Sequence, residues 1–112
     1  MMKVFDRAME LIDYTMTITD NTKRFPKKAR FTFVDRMQNL TLDIYKKLAM
    51  VNELPAGARK TNQIEILGDI NVLLALIEIC HKRQYINVRT METWVKKSMD
   101  VKYLTAAWMK RA

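Results

Sequence analysis

Apolar residues recur at spacings of three and four through nearly the whole chain, in four blocks separated by three short breaks. In the first block, about Lys3 to Thr22, the stripe is Val4, Phe5, Ala8, Leu11, Ile12, Thr15 and Ile18, with Asp6, Glu10, Asp13 and Asp20 off it. The break Lys23-Arg24-Phe25 follows, and Pro26 suits the first turn of a helix. The second block, about Pro26 to Asn52, repeats Val34, Met37, Leu40, Thr41, Ile44, Leu48 and Val51, and ends at Glu53-Leu54-Pro55-Ala56-Gly57. The fourth, about Val88 to Arg111, carries Met91, Trp94, Val95, Val101, Leu104 and Trp108, broken by the small Ser98 and Thr105. Asn87 is placed as its N-cap, and Ile86 is placed to staple onto Met91.

The third block, about Ala58 to Gln84, differs. It has a core stripe of Ile66, Leu67, Ile70, Leu73, Leu74, Ile77 and Cys80, and a second apolar set, Val72, Leu76 and Ile79, pointing elsewhere. Gly68 and Ala75 lie seven apart, where a neighbouring helix could approach closely. A helix apolar on more than one side is buried on more than one side, which predicts an oligomer contact through Gly68, Val72, Ala75, Leu76 and Ile79. A wide core stripe within one bundle is the alternative.

Blocks of about 20 to 27 residues make helices roughly 30–40 Å long. Equal lengths and short breaks predict an all-α, up-down-up-down antiparallel four-helix bundle, one domain over residues 1–112. Composition agrees: 49% hydrophobic residues supply a core, and two Gly with two Pro are too few for a sheet-rich fold. The lone Cys80 excludes a disulfide within the chain and fits a reducing cytoplasm. The N-terminal MMKVFDRAMELIDY mixes charge into its apolar positions, unlike a signal peptide. The most apolar run, Ile66 to Cys80, is interrupted by Asp69, Asn71 and Glu78, so no membrane partner is expected.

Charge changes the picture most. Twenty Lys and Arg stand against twelve Asp and Glu, a net +8, and the excess lies in residues 23–36 and 82–112. In an up-down-up-down bundle the first and third breaks share one end. Lys23, Arg24, Lys27, Lys28 and Arg30 would therefore meet Lys82, Arg83 and Arg89 there. Helices two and four also begin at that end, with partial positive charge of their own. Lysines there oppose the dipole at about 0.3–1 kcal/mol each, an arrangement better explained by a bound anion such as phosphate. Along helix four, Arg89, Lys96, Tyr103 and Lys110 recur at seven with Lys97 beside them, a basic strip in which Tyr103 offers a stacking face. An ordinary solvated lysine face is the competing explanation.

Catalytic patterns are missing from the sequence. His81, the one histidine, adjoins Cys80, so their side chains diverge by about 100° on a helix. Glu65 and Asp69 are four apart and could share a metal, but no E-x-x-H partner accompanies them. No enzyme activity and no cofactor are expected.

The stretch Phe25-Pro26-Lys27-Lys28-Ala29-Arg30-Phe31-Thr32 resembles the start of helix two in a family of four-helix-bundle proteins. That family includes Avd, the accessory variability determinant of diversity-generating retroelements, and proteins encoded in intervening sequences of 23S ribosomal RNA genes. The resemblance runs along the chain through the apolar third helix with its Lys-Arg end to Trp108-Met109-Lys110. Ala106-Ala107 stands where the family's last helix often has a Gly pair. The resemblance implies a homopentameric barrel of bundles with a basic surface. It also implies a partner reverse transcriptase and binding to template RNA or its cDNA. The alternative is a protein-interaction scaffold that docks an acidic partner and has no nucleic-acid role.

Overall fold

The computed structural model describes residues 2–111. Four α-helices and no strand occur among them: α1 (Lys3–Thr19), α2 (Asp35–Glu53), α3 (Lys60–Lys82) and α4 (Val88–Arg111). Each helix packs on two others, α1 on α2 and α4, and α3 on α2 and α4, around one core in a bundle about 45 Å long. The rings of Phe25 and Tyr85, 5.4 Å apart, put the first and third connections at one end. At the other end Arg59, in the second connection, lies 5.3 Å over the ring of Trp108 near the end of α4.

The stripes meet as the periodicity dictates. Leu11, Met37, Ile44, Leu48, Ile66, Ile70, Leu73, Ile77 and Trp94 are sealed from solvent. Polar groups inside this core are tied to one another, Gln63 excepted. The Trp94 indole N–H donates to Thr15 Oγ1 at 3.0 Å, the Thr19 hydroxyl to the Thr15 carbonyl at 2.7 Å, and the Gln38 amide to Thr19 Oγ1 at 2.8 Å. These bonds pin α4 and α2 onto α1 and meet the requirement that buried donors find partners. Ser98 and Thr105 bond back to helix carbonyls at 2.9 and 2.8 Å, so two small buried residues let α4 lie close without orphaned hydroxyls.

Helix ends differ from the sequence expectation where tertiary packing intervenes. Helix one stops at Thr19 rather than Thr22, because Asn21 bends the chain: its Oδ1 accepts the Lys23 N–H at 3.0 Å. The turn drives Phe25 into the core, 1% exposed, although the sequence placed it in a break. Helix two does not start as α-helix at Pro26. A 3-10 turn, Lys27–Ala29, and a π turn, Arg30–Val34, precede α2. The reason lies in the spacing of the buried residues. Phe25, Ala29, Val34 and Met37 all face inward, and the five-residue step from Ala29 to Val34 is one π turn. The Asp35 N–H correspondingly bonds to the Arg30 carbonyl, five residues back.

Helix three ends at Lys82 in a Schellman motif. Tyr85 N–H bonds to Cys80 O at 2.9 Å and Gln84 N–H to His81 O at 3.0 Å, with Gln84 left-handed at φ 65°. The turn points Tyr85 inward against Phe25 and Phe33, building an aromatic plug under this end. Asn87 caps α4, its Oδ1 accepting the Thr90 N–H at 2.8 Å.

Candidate nucleic-acid interface

The aromatic plug of Phe25, Phe33 and Tyr85 carries the basic residues around it. From the first connection come Lys23, Arg24, Lys27, Lys28 and Arg30, and from the end of α3 and the start of α4 come Lys82, Arg83 and Arg89. Lys23, Lys27, Lys28, Lys82, Arg83 and Arg89 are exposed, whereas Arg24 and Arg30 are half-buried. Arg24 reaches across the end, its guanidinium 3.4 Å from Thr90 Oγ1, and the Arg83 guanidinium lies 5.9 Å over Phe33.

None of these eight takes part in an ion pair among the described residues. The ion pairs lie further along the bundle: Arg7 with Glu10 at 2.9 Å, Lys96 with Asp100 at 3.4 Å, and Lys47 with Glu65 and Asp69 at 3.7 and 2.7 Å. Carboxylates are fewer than cations at the basic end, where Asp20, Asp35, Glu78 and Glu92 are the acidic residues nearest in sequence, and Asp20 instead accepts from Gln38 at 3.4 Å. Cations with no neutralising partner repel one another and hold a local positive potential.

Helix dipoles account for only part of the basic end. The Asn87 side chain already occupies one N-terminal N–H of α4. Lys27 and Lys28 sit in a short 3-10 turn rather than at the head of a long α-helix. What gathers the charge is the meeting of two connections over one plug, more than the helix termini.

The helix-four strip divides. Arg89, Lys96, Tyr103 and Lys110 are exposed. Lys96 and Tyr103 line a groove of about 300 Å3 together with Lys3 and Arg7 of α1, but Lys96 is engaged by Asp100. Lys97 turns inward instead, half-buried with its ammonium 5.5 Å over the Tyr14 ring. A lysine used to cover an aromatic is less available to a phosphate, so Lys97 departs from the expected track.

The acidic pair Glu65 and Asp69 holds a lysine. Lys47 bridges both, and the hydrogen bond to Asp69 raises its pKa from 10.5 against the opposing effect of burial, with Asp69, Glu65 and Asp43 adding Coulombic support. Cys80 is sealed in the core, its thiol 3.9 Å from Met37 Sδ and its pKa pushed up to about 12 by desolvation. That is the profile of an inert buried thiol. No group of three or more His, Cys, Asp or Glu with metal-site geometry occurs among the described residues, and no described helix is long and apolar enough to cross a membrane.

The expected oligomer face resolves into a strip with one exception. Gly68, Val72, Ala75 and Ile79 are exposed along the outer side of α3, and Ile64, unremarked in the sequence, extends them. Leu76 departs from the expectation: it is half-buried and packs against the core, because it lies about 80° round the helix from Gly68. Phe31 was also missed as a candidate. It is 81% exposed in the π turn, in the midst of the basic segment. Its only sequence signal is an aromatic preceded by Lys27, Lys28 and Arg30 and lying off the apolar stripe. Compared with protein-family models, curated proteins and solved structures, the chain finds no match.

Proposed function

We propose that this protein is a non-enzymatic nucleic-acid-binding accessory protein that grips phosphate backbone with one end of its bundle. One observation carries the reading: eight cations from two separate connections share an end and none has a carboxylate partner, while the three ion-paired cations among the described residues, Arg7, Lys47 and Lys96, lie elsewhere. A surface of that kind is completed by polyphosphate, whose condensed counterions are released on binding. The resemblance adds the biological setting. It points to assistance of a diversity-generating retroelement reverse transcriptase on its template RNA or cDNA, within a homopentamer. The outer strip of α3, where Val72 is 42% and Ile79 38% exposed, is the surface such an assembly would bury.

Filter binding of a labelled oligonucleotide across salt tests the reading. Up to eight phosphate contacts give a slope of log K against log salt as steep as about −6 to −7. Replacing Lys27, Lys28, Arg30 and Arg89 together by Gln should flatten it by about 3 without unfolding the bundle. No binding at low salt, or equal binding by the variant, overturns the proposal. Docking to an acidic protein would instead give capture that survives nuclease.

A further inference from the structure

Most bulky apolar side chains at the basic end are put to use by the fold. Phe25 is buried, Phe33 rests edge-on against Tyr85 at 5.9 Å, and the Arg83 guanidinium lies over Phe33 as well. Val88, beside Arg89, is 52% exposed, and Phe31 stands out furthest. It is 81% exposed, the most exposed large hydrophobic side chain among the described residues, and no aromatic or cation pair engages its ring.

Its exposure follows from the backbone. The step from Ala29 to Val34 takes five residues where an α-helix would take four, and within it Phe31 and Thr32 stand outward. Along the chain Lys27 and Lys28 precede Phe31 by four and three residues, Arg30 adjoins it, and Asp35 follows it by four. A bare ring among unpaired cations has two features of a single-strand binding surface: a flat π-face for a base and charge for the phosphates on either side.

We propose that Phe31 is a stacking platform for an unpaired base, so that the basic end takes single-stranded nucleic acid in preference to duplex. The inference rests on the nucleic-acid reading above and specifies its ligand. In a duplex both faces of each base are already stacked, and reaching them requires the helix to be kinked open. A two-fold contact of the ring with a second copy is disfavoured, since it would bring two like-charged ends together.

Fluorescence anisotropy at one salt concentration, with a labelled single strand, its duplex and the same strand with abasic sites, tests this. Phe31→Ala should weaken binding of the intact strand about tenfold, leave duplex and abasic strand within twofold, and keep the salt slope. Phe31→Trp should restore affinity. If Phe31→Ala leaves single-strand affinity unchanged while Lys27→Gln with Lys28→Gln weakens it, the platform is wrong and the phosphate-binding end stands. If Phe31→Ala weakens all three ligands equally, or shifts the sedimentation coefficient, the ring has another role and the proposal falls. If the parent binds none of the ligands at low salt, both readings fall together.

Discussion

Gln63 is the polar residue with the poorest surroundings. It sits on the core side of α3, fully buried, and neither its amide nitrogen nor its amide oxygen has a hydrogen-bond partner. An unmet buried polar group costs about 1–3 kcal/mol. Gln63→Met keeps the length and removes both groups, so it should stabilise the bundle by about 1–3 kcal/mol in urea unfolding. A lower midpoint would show that the amide is bonded after all. Gln63 was hidden in the sequence because a glutamine three residues before Ile66 looks like the polar end of a stripe. Arg59 was hidden for the same reason. Its Nε donates to the Val51 and Leu54 carbonyls at 3.1 and 2.9 Å, closing the end of α2, and so one cation of the net charge is spent on structure.

Among the elements, α3 and the start of helix two carry the features that matter for function. Gly68 lies in the interior of α3, and a Cβ added there would meet nothing within 4 Å. Glycine inside a helix costs about 1 kcal/mol relative to alanine, and nothing within this chain requires it. Gly68→Ala should therefore raise stability by up to about 1 kcal/mol in thermal melts of dilute protein. Gly68→Gln, helix-compatible but long, should dissociate an assembly that docks on the strip from Ile64 to Ile79. An unchanged sedimentation profile for Gly68→Gln would remove the strip as a contact. The amphipathic pattern did disclose that α3 is apolar on two sides, because periodicity registers every face of a helix. It grouped Leu76 with the outer strip, although Leu76 lies about 80° round the helix from Gly68 and packs partly against the core. The π turn was legible only in retrospect. The Ala29–Val34 step could be recognised once Phe25 was known to be buried, and burial of a residue in a break is decided by what lies beneath it.

Over the whole molecule the distribution of charge outweighs its sum. The basic end gathers eight of the twenty cations, none of them ion-paired among the described residues, so the fold carries a self-repulsion concentrated at one end. Salt should relieve it. Between about 0.02 and 0.3 M salt, where the screening length falls from roughly 20 to 6 Å, the melting temperature should rise by a few degrees. The variant with Gln at 27, 28, 30 and 89 should show a flatter response by circular dichroism. Equal salt responses would mean that the end is not electrostatically strained.

The sequence by itself determined the four helices, the order in which they return on one another and which two connections would meet. Each of these follows from local periodicity and from how far a short connection can reach. Only the tertiary structure decided which charges are paired, since an ion pair such as Lys47 with Asp69 depends on two helices lying side by side. It also decided that Lys97 turns onto Tyr14 while Phe31 is left facing water. A residue's surroundings belong to the assembled core, where one extra residue in a turn redirects a side chain that the pattern alone places on no particular face.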